Sequence, residues 1–326
     1  MKYISLLFIS LFSLPSWAHV RWFVNSTQYT DVSLPVDALF YSILVAVLGF
    51  CLFAYVVTRQ GLIGSVTSNP VMTDTFFFWR LLTVVMALFF ILNVVLGEFI
   101  APNLQLDTGR EMIGVCLQVA VATVMVFSVT ISGFMILLIA IASSILLPFS
   151  AVIDYLPELI GIGGALVLIG PYITPFDKKM FSYLAQQIGG REAAVILLRF
   201  MLGLQLLILG LHNKLMLPGL SLTFLEMYPY YNFFQLLGWE AFSHLHFVWF
   251  VGLSESLLGL MLMLGFANRL VMGLLATIFL ITTYVAGPAD VLGHLPIFAI
   301  AFILLCESVN KVPSAIAVKT IDLGDT

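Results

Sequence analysis

Few residues in this 326-residue chain can do acid–base chemistry, because only 9% are charged and 61% are hydrophobic. Glu255 is the plainest candidate. It stands in the middle of "VGLSESLLGLMLMLGF", too deep in an apolar run to reach a headgroup. An ionisable group in hydrocarbon costs about 2.5–3.5 kcal/mol on insertion scales, so this carboxylate needs a proton, a cationic partner or a functional proton site. Arg199 opens another apolar run, and a buried ion pair of Arg199 with Glu255 satisfies both; snorkelling of Arg199 to the inner headgroups is the plainer alternative. Gly252, Ser256 and Gly259 form a small-residue stripe beside Glu255 that admits a second helix.

The histidines are His19, His212, His244, His246 and His294. In the topology below, each falls at or near the outer face. His294 stands at the mouth of "GHLPIFAIAF", with Asp290 one turn earlier to hold its other ring nitrogen. His212 and Lys214 are two residues apart, so at about 100° per residue they point to different faces. Lys214 then reaches the outer headgroups and His212 faces the bundle. A pocket of His212 and His294 with His244 or His246 suits a quinone headgroup through a hydrogen bond, or copper or zinc through imidazole nitrogens. His19 would add its ring and free α-amine to His212 and His294 in a metal site. Interfacial capping is the plain alternative for every one of them.

The elements that position these residues are set by lipid. No soluble fold of this size buries so much apolar surface, and no basic run suggests nucleic acid. "MKYISLLFISLFSLPSWAHV" reads as a signal peptide cleaved after Ala18, with an uncleaved helix as the alternative. Residues 19–35 are then a short periplasmic segment. Nine apolar runs follow, near 36–57, 75–98, 112–128, 130–148, 155–174, 194–216, 245–265, 269–286 and 292–308. Between the third and fourth, Ser128–Gly133 must make a very tight turn. With the mature N-terminus periplasmic, Arg59, Lys178, Lys179, Arg191, Arg269, Lys311 and Lys319 fall inside, and only Arg21 and Arg110 outside. That asymmetry obeys the positive-inside rule and places the 309–326 tail in the cytoplasm.

The second and sixth runs look alike, each with an arginine near its inner end (Arg80, Arg199) and a proline just past its outer end (Pro102, Pro218). Later come "DYLPELIGIGGAL" (154–166) and "GHLPIFAIAFILL" (293–305). The fold expected is therefore an all-α polytopic membrane protein with one extra span before two tandem four-helix units, 75–174 and 194–308. The loop at 217–244, rich in aromatics, lies along the outer surface as an anchor or as a lid for an amphiphile such as a quinone. Cys51, Cys116 and Cys306 lack metal-type spacing and read as core thiols.

Residues 194–308 resemble the DoxX/DoxD family of bacterial four-helix membrane proteins. The resemblance is carried by Arg199, "GLHNKLMLPGLSL" (210–222), "GLSESLLGLMLMLGFANRL" (252–270) and "GHLP" before the last helix. Glu255, Gly265 and Arg269 match the family's glutamate and turn. Residues 75–174 keep Arg80 but have no clear counterpart of Glu255. The resemblance implies an inner-membrane subunit linked to quinone or redox chemistry, like those of thiosulfate:quinone oxidoreductases, or a role in redox stress. The chain has no CxxC, CxxCH or Gly-rich dinucleotide fingerprint, so a periplasmic or membrane redox partner would carry the cofactor. Two other classes fit the same residues: a transporter or periplasmic metal-handling protein, and a structural anchor for a periplasmic partner.

Overall fold

The computed structural model describes residues 36–59, 75–102, 104–187, 190–286 and 288–306. The expected signal peptide (1–18), the 19–35 segment with His19, and the 309–326 tail lie outside the described residues. The protein is an all-α polytopic membrane protein. Each apolar run forms a helix, because in lipid every backbone N–H and C=O must be paired within its own segment. We number them α1 (Ala38–Arg59), α2 (Thr75–Leu96), α3 (Glu111–Phe127), α4 (Val129–Leu146), α5 (Leu156–Ile169), α6 (Gly190–Gly210), α7 (His244–Leu264), α8 (Asn268–Ala286) and α9 (Pro288–Cys306). Among the described residues five stretches are long and apolar enough to cross a bilayer, in α1, α2, α4, α7 and α6 with its continuation to Met216; α3, α5 and the segments Asn268–Ile278 of α8 and Leu292–Cys306 of α9 are shorter apolar stretches.

The packing is inverted relative to a water-soluble protein. Val95 and Ile145 are each 75% exposed, whereas Ser132, Ser143, Asp154 and Gln205 are fully buried. Outward side chains face lipid, and the polar groups face one another.

From α2 to α9 each helix packs against the next, and α9 returns to α2, so the eight close into a ring. Across the ring, α9 also touches α5 and α6, while α1 lies outside against α7. Two crossings are very close. On α4 and α5, a Cβ on Gly133 would sit 2.6 Å from the Gly163 carbonyl. On α6 and α7, a Cβ on Gly203 would sit 2.6 Å from the Gly259 carbonyl, and the Gly252–Ser256 part of the stripe meets Gly210. Small residues let the backbones touch, which fixes the register of each pair.

The tight turn between the third and fourth runs is a single residue. Ser128 has extended backbone and joins α3 to α4, its hydroxyl accepting from the Ile131 N–H. Asp177, from the short helix Pro175–Met180 before α6, holds it in place. Its carboxylate accepts from Ser128 Oγ (2.5 Å), the Val129 N–H (2.9 Å) and Thr174 Oγ1 (2.7 Å).

Candidate functional site

α6 does not end as an α-helix. Residues Leu211–Met216 form a π-turn, with the Leu217 N–H donating to the His212 carbonyl five residues back. Pro218 follows and has no N–H, so it cannot donate to the carbonyls of this turn. The Ser221 hydroxyl, from the short helix Gly219–Met227, donates to the Asn213 carbonyl instead (3.2 Å). A π-turn widens the helix and re-aims its side chains, and such turns recur at functional sites.

Within this turn Asn213 and Lys214 both point inward, continuing the buried face of α6, and are 7% and 1% exposed. Asn213 Nδ2 donates to Asp154 Oδ2 just before α5 (2.8 Å). Lys214 Nζ donates to Glu255 Oε2 on α7 (2.7 Å), the two side chains being 2% and 5% exposed. Glu255 Oε1 is buried without a hydrogen-bond partner among the described residues. Two turns earlier on α6, Gln205 Nε2 donates to Glu158 Oε2 on α5 (2.8 Å). A polar stripe therefore runs along α6 inside the ring, with carboxyl groups on both flanks. A cavity of about 10 Å³ beside Lys214, walled by Ser221, Phe247 and Val251, has room for about one water.

This corrects two expectations. Glu255 does not pair with Arg199, and Lys214 does not reach the headgroups. α6 and α7 run antiparallel in the register set by Gly203–Gly259 and Gly210–Gly252. Arg199 is therefore level with Gly265 at the far end of α7, where its guanidinium lies 2.5 Å from a Gly265 Cβ position. Arg199 and Lys214 are 15 residues apart, about 22 Å along a helix. The Lys214 Cβ lies beside Gly252, one turn from Glu255, on the same face of α6 as Gly203 and Gly210, and its side chain extends to the carboxylate.

The described histidines have separate settings. His212 is half-buried, with Nδ1 2.9 Å from Asn213 Oδ1. His244 Nδ1 lies 3.3 Å from Asn232 Nδ2 in the aromatic loop. His246 Nδ1 accepts from the Ser243 N–H in a capping box, and its Nε2 lies 2.8 Å from Asp37 Oδ2 at the start of α1. Asp37 is exposed, and the His246 hydrogen bond with the Phe40 N–H holds its carboxyl below the usual range. His294 is not at the mouth of its span, because α9 begins six residues earlier; it is 1% exposed, with its ring 6.3 Å from that of Phe298. The Asp290 side chain lies outside the described residues. Among the described residues no three His, Cys, Asp or Glu side chains are grouped to hold a metal.

Asp154, Glu158, Gln205, Asn213 and Lys214 are thus functional candidates that sequence reasoning missed. The signal was available in part. Asp154 and Glu158 are four apart in an otherwise apolar run, which places them on one helix face. Gln205 sits in the centre of the sixth run.

Compared with known proteins, the chain matches no family model, no curated protein and no solved structure. The site must therefore be read from its own geometry.

Proposed function

We propose that this chain is a multi-pass protein of the bacterial inner membrane, with its mature N-terminus periplasmic and its C-terminus cytoplasmic. In this reading it serves quinone-linked redox chemistry as a membrane subunit, and the polar stripe inside its ring handles the protons. The observation that carries the reading is the Lys214–Glu255 pair. A buried ion pair is on balance a poor source of stability, since desolvation offsets its Coulomb attraction. Ionisable groups inside a membrane bundle mark proton or ion pathways. The pair sits on a π-turn, holds an unsatisfied carboxylate oxygen and borders a water-sized cavity. The resemblance of residues 194–308 to the DoxX/DoxD family supports the redox setting, with the cofactor on a partner. A groove of about 360 Å³ between α2 and α9, walled by Phe78, Phe298 and Phe302, would suit the prenyl tail of a quinone.

The test is potential-driven proton flux into proteoliposomes that carry a trapped pH dye, with and without a prenyl quinone in the bilayer. Flux above that of protein-free liposomes is expected in the wild type and lost in Glu255→Gln. Wild-type flux no higher than that of empty liposomes under both conditions would overturn the reading.

A further inference from the structure

We propose that Glu158 is a second, separate proton-binding group of the membrane interior. It holds a proton in the resting protein and exchanges it through the cavity between α5 and α9. This extends the proton-handling reading to another residue, and its test uses no proton flux.

Glu158 lies in the first turn of α5 and is 6% exposed. Its hydrogen bond comes from Gln205, a neutral amide that stabilises a carboxyl without neutralising a charge. Among the described residues no lysine, arginine or histidine is ion-paired with it. Glu255, by contrast, has Lys214. The helix N-terminus favours a charged carboxylate only modestly, and burial away from water opposes it far more strongly. A buried carboxyl without a cation resolves that conflict by keeping its proton.

Ionisable groups come from several of the elements packed around it, and none of the ion pairs among the described residues includes Glu158. On the α5 side, Asp154 is bonded to Asn213, and Tyr155 shares the cavity. α4 carries no ionisable residue. α6 and its π-turn bring Arg199, which lies against Gly265, Lys214, which is engaged with Glu255, and His212. α9 brings His294, and the chain after α2 brings Glu98.

A route for exchange is also present. Glu158 lines a cavity of about 10 Å³ with Tyr155, Phe89, Ile100, Gly293 and Pro296, large enough for about one water. Both prolines of the two "LP" signatures are close by: Pro157 precedes Glu158, and Pro296 is on the cavity wall. Pro296 cannot donate within α9, which leaves the Leu292 carbonyl without its helical partner. The step is a proton transfer alone. The Glu158 O–H bond breaks, its proton passes to water in the cavity, and a proton returning by the same route restores the acid.

Two measurements on the full-length protein test this. The first is labelling with dicyclohexylcarbodiimide, an apolar reagent that requires a protonated carboxyl. The acid adds across the N=C=N group, and the O-acylisourea rearranges to a stable N-acylurea. An adduct is expected on the peptide containing Glu158, absent from Glu158→Gln and slower to form as pH rises. The second is infrared spectroscopy, which does not depend on reagent access. A carboxylic-acid C=O band should shift in D₂O, disappear in Glu158→Gln and move to higher frequency in Gln205→Leu. If no acid band is lost in Glu158→Gln, or if the lost band does not move in D₂O, the proposal is overturned. Should Glu158→Gln fail to fold, an acid band unmoved in Gln205→Leu overturns it instead. An intact band without flux would refute only the proton-flux reading; flux without the band would refute only this one.

Discussion

Lys214 Nζ lies 2.7 Å from Glu255 Oε2, joining the π-turn after α6 to the centre of α7 with both side chains excluded from solvent. Removing one partner of such a pair leaves the other as an uncompensated charge. Lys214→Met should therefore destabilise the protein by about 3–5 kcal/mol. The double variant Lys214→Met/Glu255→Leu should recover most of that loss. Thermal unfolding in mild detergent gives both values. Arg199→Leu combined with Glu255→Leu should show no such recovery, because Arg199 contacts the opposite end of α7.

Asp177 provides the contrast of a buried acid with a structural task. It accepts three hydrogen bonds and ties the single-residue turn at Ser128 to the short helix Pro175–Met180 before α6. Asp177→Ala should lower stability by about 1–3 kcal/mol, mainly by leaving buried donors unsatisfied. Flux per folded molecule, measured after size-exclusion purification, should be unchanged.

The Asp37–His246 contact joins α1 to the start of α7 at the surface. The Asp37 carboxyl is held below its ordinary value by His246 and the Phe40 N–H. A depressed folded-state value means that this contribution is complete above about pH 4, the unfolded value, and is lost as pH falls through the folded one. Hydrogen exchange at the Phe40 amide should show that step below about pH 4 in the wild type. Asp37→Asn should show none.

Much of the fold was legible in the sequence. Unbroken apolar runs in a chain with so few charges can only be membrane helices, and each of the nine runs carries one among the described residues. The small-residue stripe at Gly252, Ser256 and Gly259 also announced a close crossing, and α6 makes it. Glu255 was legible as a buried acid, but its partner was not. Spacing separates His212 from Lys214 but does not by itself say which faces the bundle; counted at about 100° per residue from Gly203 and Gly210, which meet α7, Lys214 falls on the contact face and His212 on the opposite one. The antiparallel register could have been estimated by matching Gly203 and Gly210 to the stripe, which sets Glu255 near residue 207 and Arg199 near residue 263, and so rules out the Arg199 pairing. Asp154 and Glu158 were hidden differently: each carboxyl takes its hydrogen bond from an amide on α6, a pairing that depends on which helices become neighbours in the ring.

If Lys214 and Glu255 are kept for proton handling and not for stability, the most direct measurement is proton flux in proteoliposomes of Lys214→Met/Glu255→Leu, prepared from protein whose unfolding temperature has first been shown to match the wild type. A folded, inserted protein with no flux above that of empty liposomes is expected. Wild-type flux from that double variant would contradict that role.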